Sequence, residues 1–189
     1  MLKTVFSYFL SLYSLWQQAI FPCTYPELLP ANTVDVHKYL GTWYFKAAVS
    51  RREADIQKFR ALDSIRFTME KINNDTLLLT GHMRIGDNCT KQTWIYHIRP
   101  DRDDLELEGK PKQQSLLRTG RLANCSECIV VQEIEPPLHQ TEAEDSLSRY
   151  ILYARQKDVK TEVKTFLENN ACHHMTKSVT LPQQKEFCK

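Results

Sequence analysis

The stretch Tyr39-Leu-Gly-Thr-Trp-Tyr-Phe-Lys-Ala-Ala48, YLGTWYFKAA, decides the fold. It is an aromatic-rich extended run, and similar short runs follow it at regular spacing. Ile65, Phe67 and Met69 alternate with Arg66 and Thr68, and Thr76–Met83 is a second apolar run. Trp94, Tyr96 and Ile98 alternate with Thr93, Ile95 and His97. Leu105 and Leu107 alternate with Glu106 and Glu108, Gln113–Arg118 is weaker, and Cys128–Ile134 and Leu147–Ala154 are strong. Period-two alternation with β-branched and aromatic side chains signals strands. Asn73-Asn74-Asp75, Gly86-Asp87-Asn88 and Arg99-Pro100-Asp101 supply turn chemistry between them. About eight short strands at this spacing predict an all-β sandwich or an up-and-down antiparallel barrel.

Two helical passages interrupt the pattern. Ser50-Arg-Arg-Glu53 reads as a capping box, followed by Ile56 and Phe59, and predicts a short helix between the first two strands. Over Asp158–Leu167, Val159, Val163, Phe166 and Leu167 share one helical face. A lone amphipathic helix after the strands is expected to pack its apolar face on the outside of the sheet.

Composition bounds the function. The chain has 189 residues, 42% hydrophobic and 25% charged, with a formal net charge of +2. A nucleic-acid binder normally carries a strong basic excess, so no nucleic-acid partner is expected. With 5 Gly and 8 Pro the chain is neither collagenous nor a flexible repeat, and it holds no phosphate-loop motif. No Ser-His-Asp set and no His-rich metal grouping is evident, so no cofactor, no metal and no enzymatic activity are predicted.

Residues 1–20 read as an export signal: Lys3 is the only charge before Glu27, and Val5–Trp16 is mostly apolar or aromatic. Gln17 and Gln18 end the run short of the ~20 apolar residues of a membrane span. The cleavage geometry is poor, because Gln17 sits two residues before Ala19 where a small residue belongs. A cleaved signal and a retained apolar anchor both remain open; residues 21–189 form the domain. Six cysteines, Cys23, Cys89, Cys125, Cys128, Cys172 and Cys188, fit three disulfides in a secreted chain. Sequons begin at Asn74, Asn88 and Asn124, and Asn74 is the preferred glycan site because the others include a cysteine.

Gly41-Thr42-Trp43 on the first strand, the strand count, a long first loop and Arg155 after the last strand resemble the lipocalin family. In that family the Trp plugs the closed barrel end and the late Arg stacks on it, a cation–π contact. HKYLGTWYF (37–45), KQTWIYHI (91–98), LELEGKP (105–111), SRYILYAR (148–155) and LPQQKEFC (181–188) are similar to its lipoprotein-borne apolipoprotein branch. The second lipocalin signature turn is not evident near Arg118-Thr-Gly120. The resemblance implies a secreted, monomeric carrier of sphingosine 1-phosphate or a similar amphipathic lipid, associated with high-density lipoprotein through its N-terminal apolar segment. The alternative is a carrier of neutral retinoids or fatty acids.

The resemblance also implies a site: Trp94, Tyr96, Lys110, Glu133, Arg149 and Tyr153 as ligand-binding, and Gly41, Trp43 and Arg155 as structural. An inward Arg149 needs an internal carboxylate or an incoming phosphate, since an unpaired buried cation is costly. Glu133 would accept the ligand amine, and Arg149 when the barrel is empty. Lys110 stands where the relatives have Arg, and Gln92 where they have a basic residue, so the phosphate clamp is weaker here. The implied bridges are Cys23–Cys172 and Cys89–Cys188. The relatives' third bridge has no counterpart, and Cys125–Cys128 is expected to pair locally, with a redox CxxC or half a zinc site with His173 and His174 as alternatives. A lipocalin isomerase would need a free barrel thiol.

Overall fold

The computed structural model describes residues 26–136, 147–181 and 187–188. Ten strands alternate with short connections. They are β1 (Leu28–Leu29), β2 (Gly41–Ser50), β3 (Ser64–Lys71), β4 (Thr76–Ile85) and β5 (Asn88–Ile98), followed by β6 (Leu105–Leu107), β7 (Gln114–Thr119), β8 (Cys128–Glu135), β9 (Leu147–Ala154) and β10 (Lys177–Thr180). One helix, α1 (Lys160–Ala171), lies between β9 and β10. The order is β1-β7-β6-β5-β4-β3-β2-β9-β8, every pairing is antiparallel, and β7 pairs with β8 to close the ring. The eight expected strands are β2–β9, an up-and-down barrel.

β1 and β10 are additions the periodicity missed. β1 has only two residues, too few to alternate, and zips Leu28–Leu29 onto Arg118–Leu117 of β7. β10 pairs with the mouth half of β2, from Ser50 to Ala47, where β3 has peeled away after Tyr44. The expected helix at Ser50–Glu53 is instead two 3-10 turns, Glu53–Asp55 and Gln57–Ala61. The capping box does not form. Ser50 still belongs to β2, its Oγ accepts Arg52 N–H at 3.1 Å, and Glu53 binds Arg60 at 2.5 Å rather than reaching back.

A register shift between Phe45 and Ala47 turns β2 over: Trp43, Phe45 and Ala48 face the barrel interior, while Ala47 and Val49 face out. Two apolar layers result. The inner one includes Trp43, Phe45, Ile65, Phe67, Leu77, Leu117, Ile129 and Ile151. The outer one joins Ala47, Val49, Val130 and Leu152 to Val159, Val163 and Phe166 beside and along α1. Phe166 is 0% exposed, which removes about 1.5–3 kcal/mol of side-chain hydration cost. α1 starts two residues later and ends four residues later than the 158–167 periodicity predicts. Its polar last turn is held by Asn169, which donates to Leu122 O at 2.8 Å, and by Asn170, which donates to Phe166 O at 2.7 Å.

The end beneath Trp43 is closed. The Arg155 guanidinium lies 3.9 Å from the Trp43 ring centre and donates to the carbonyls of Thr42, Lys38 and Leu40 at 2.7–2.9 Å. Trp43 Nε1 donates to Tyr39 O at 2.8 Å. Gly41 completes the arrangement at φ +92°, with Arg155 Nη1 3.4 Å from where a Cβ would stand. At the other end the β4–β5 hairpin carries Cys89, which is bonded to Cys188 across a separation of 99 residues.

Candidate ligand-binding site

The open end of the barrel leads into a cavity of about 890 Å3, within the ~300–1,000 Å3 range of small-molecule sites. Phe67, Leu79, Tyr96, Glu133 and Tyr153 border both this cavity and a smaller apolar chamber of about 60 Å3 beneath it. They form a waist, with Phe67 edge-on to Tyr153 at 5.4 Å and tilted against Trp94 at 5.8 Å. Gly81 makes room for the Trp94 ring, since a Cβ there would lie 2.7 Å from the indole and 2.9 Å from Phe67. A separate hollow of about 930 Å3 outside the closed end shares only Tyr39 and Trp43 with the lower chamber.

The polar groups of the cavity follow from strand register. Ser115, Glu133, Arg149 and Ser50 are successive partners across β7, β8, β9 and β2. Arg149 is 5% exposed and Glu133 9%. Arg149 Nε donates to Glu133 Oε2 at 2.6 Å, and Nη2 donates to the same oxygen. Nη1 donates to the carbonyl of Asp55 at 2.6 Å. That carbonyl belongs to the first loop, which folds back over the mouth and inserts Ile56 and Phe59 into the core. Phe59 stacks against Phe45 at 4.9 Å and lies 5.0 Å beneath the guanidinium. The Asp55 carboxylate fastens the loop, accepting Arg52 Nη2 at 2.6 Å, Ser50 Oγ at 2.8 Å and Ser148 N–H at 3.3 Å.

All six residues of the implied ligand set border the cavity: Trp94, Tyr96, Lys110, Glu133, Arg149 and Tyr153. Lys110 stands on the exposed β6–β7 loop beside Gly109, whose φ of +79° lets the chain turn there. Gln92 lines the mouth on the inner side of β5, in register with Gly81. Lys91 is on the opposite face. One cation escaped the sequence reading: Lys58, on the first loop, borders the same cavity. Its Nζ lies 5.3 Å from the Phe59 ring centre. Partial burial, then the charges of Arg149 and Lys110, hold its ammonium pKa below the usual lysine value, while Glu133 opposes them. The Ser50–Phe59 pattern announces a structured loop, but nothing in it shows that residue 58 faces inward. Burial raises the pKa of Tyr96 and of Tyr153, and the Glu133 charge adds to both.

The geometry is a tube with apolar walls, a buried guanidinium–carboxylate pair near the top and two lysines at the rim. A model of the ApoM domain matches residues 1–189. The chain belongs to the ApoM domain family. Among solved structures, two siderocalins share the fold of this ApoM lipocalin. One, Ex-FABP, described as functioning through dual ligand specificities, has a TM-score of 0.57 at 14% identity, covering 79% of this chain and 97% of its own. The other, Q83, described as revealing a dual ligand binding mode, has a TM-score of 0.59 at 16% identity, covering 82% of this chain and 95% of its own. A search of curated protein sequences finds no match.

Outside the cavity, the ApoM chain bonds Cys89 to Cys188 and Cys125 to Cys128, and Cys172 is also in a disulfide. Cys23 lies outside the described residues, as do residues 1–20. No described cysteine carries a free thiol, and no group of His, Cys, Asp or Glu among the described residues is arranged to hold a metal. Asn74 is exposed on the β3–β4 turn.

Proposed function

We propose that this chain is an exported, monomeric carrier of an amphipathic lipid with an anionic head, sphingosine 1-phosphate or a close chemical relative. The observation that carries the reading is the inward Arg149, with Lys58 and Lys110 at the rim of the same cavity. Of the five N–H donors of a guanidinium, three are engaged by Glu133 and Asp55. The others remain for a phosphate oxygen. The phosphate gains charge-assisted bonds from Arg149 and point charges from the lysines. The ligand ammonium binds Glu133, which compensates the carboxylate as Arg149 is drawn toward the phosphate. The tail lies along Phe67, Leu79, Met83 and Trp94. Residues 1–20 act as the export signal and, if retained, as the anchor to high-density lipoprotein.

Titrating the purified protein with sphingosine 1-phosphate, sphingosine and retinol, read by tryptophan fluorescence, tests this. Lys58→Gln with Lys110→Gln changes only rim residues. The pair of substitutions is expected to weaken the phosphorylated lipid roughly tenfold or more, from ~1.5–3 kcal/mol per charged hydrogen bond, and to leave retinol unchanged. Equal binding of all three lipids by the unmodified protein, unaltered by the substitutions, favours the neutral-ligand reading. That reading has its own support: Glu133 already balances Arg149, and Gln92 is uncharged.

A further inference from the structure

The outer face of β3–β5 carries a row of basic side chains. Arg66, His82 and Lys91 are direct cross-strand partners. Like charges placed directly opposite one another normally destabilise a sheet. The neighbouring rows on this face are Ser64, Arg84 and Cys89 toward the mouth, and Thr68, Thr80 and Thr93 away from it. No carboxylate occurs in these three rows; the first on this face is Glu70. Arg66 Nε is buried with no hydrogen-bond partner. Burial, then the charges of Arg66 and Lys91, lowers the pKa of the His82 imidazole, as expected beside two cations.

Aromatic rings and a further lysine flank the row. Tyr44 of β2 is the register partner of Arg66. Its ring packs against Phe187 at 4.8 Å, and Lys157 Nζ lies 5.7 Å and 5.4 Å from the two ring centres. Cations beside aromatic rings suit a lipid–water interface, where aromatics settle at headgroup depth.

We propose that this face docks on the phosphate headgroups of an anionic phospholipid surface, with Arg66, His82 and Lys91 as the contact row and Tyr44, Phe187 and Lys157 as its flank. The site is distinct from the barrel cavity, because these side chains sit on the opposite face of the strands. Its partner is a surface rather than an enclosed ligand, because the row lies on the outer wall of the barrel, beside the Phe187–Cys188 segment bonded to Cys89, and lines no cavity of the barrel interior.

Vesicle co-sedimentation of the full chain tests it. Phosphatidylcholine vesicles report any purely apolar attachment, and vesicles containing phosphatidylserine add the electrostatic part. Each Lys or Arg at an anionic surface contributes about 1 kcal/mol, so Lys91→Glu and Lys157→Glu should each reduce the phosphatidylserine-dependent partitioning at least fivefold. Both residues are exposed, so the fold tolerates these changes; Arg66→Gln adds a third reading if the variant keeps the parent melting temperature. Raising the salt should erase the same increment. The proposal is overturned if phosphatidylserine adds nothing, if the variants partition like the parent, or if the row retains a sulfated polysaccharide while ignoring vesicles.

Discussion

Arg149 and Glu133 face each other across β9 and β8, and the guanidinium gives both Nε and Nη2 to one carboxylate oxygen. The pair is buried, so its partners depend on each other. Arg149→Ala leaves Glu133 without its counter-charge inside the barrel and should cost about 3–5 kcal/mol. The double substitution Arg149→Leu with Glu133→Leu should recover most of that loss, because two apolar groups need no partner. Denaturant unfolding of the three proteins measures it. A double variant no more stable than Arg149→Ala would show that the pair is not what the loss reports.

Trp94 rests on the space left by Gly81. Gly81→Ala puts a methyl 2.7 Å from the indole, forcing the ring toward the cavity at a cost of about 1–3 kcal/mol. Tryptophan emission should shift, and lipid affinity should fall with it. An unchanged spectrum and melting temperature would contradict the close fit.

At the closed end, Arg155→Lys keeps the charge but loses the planar contact with Trp43 and the simultaneous reach to three carbonyls. It should cost roughly 2–3 kcal/mol, the range of a charged hydrogen bond plus a cation–π contact. Gly41→Ala should be destabilising too, by about 1 kcal/mol or more, because φ +92° strains any residue with a Cβ. Thermal denaturation checks both, with the 890 Å3 cavity and its ligand affinity unaffected.

Stability should peak at about pH 10. Lys46 is 3% exposed, and burial pulls its ammonium from 10.5 to about 8. Between those values the unfolded chain binds the extra proton, so stability rises with pH, by on the order of 1–3 kcal/mol. Above about pH 10 the sign reverses. Tyr96 and Tyr153 keep their protons in the fold after the unfolded chain has released them. Lys46→Met should flatten most of the rising limb, leaving the part that the lowered Lys58 contributes, and keep the falling one. Unfolding free energies from pH 7 to 11 show whether it does.

The Cys89–Cys188 bond closes nearly a hundred residues. In the chain-entropy account a loop of that size is worth about 4.7 kcal/mol, with 2–5 typical on removal. Cys89→Ser with Cys188→Ser should lower the unfolding midpoint accordingly, read by the same denaturant titration.

The strands were legible because alternation is encoded locally, and the closed end because Gly41-Thr42-Trp43 and Arg155 resemble the lipocalin pattern. Alternation places Trp94 and Tyr96 on one face, and Gly41, Trp43 and Arg155 sit at fixed points of their strands. Three features were not legible. Lys58 faces the cavity only because Asp55 folds the loop back, a long-range event. The sidedness of β2 changes at Lys46, and no pattern marks a bulge before the register is known. Ser50 and Glu53 have capping spacing, yet Arg60 and the end of β2 claim them first, so the loop winds as 3-10 turns. Even the Arg149–Glu133 contact, implied by the family resemblance together with charge need, acquires a third member in Asp55 that only the fold supplies.

The helix α1 packs on the β2, β8 and β9 side of the cylinder and not on β3–β5. Strands β2, β8 and β9 are therefore hemmed in twice, and any change in them disturbs two packings at once. The β3–β5 wall does not lie under α1, and it holds Phe67, Gly81, Gln92 and Trp94. Substitutions that resize the cargo space can accumulate on this wall without disturbing the packing under α1. Variation in what related chains carry should therefore be concentrated in that wall.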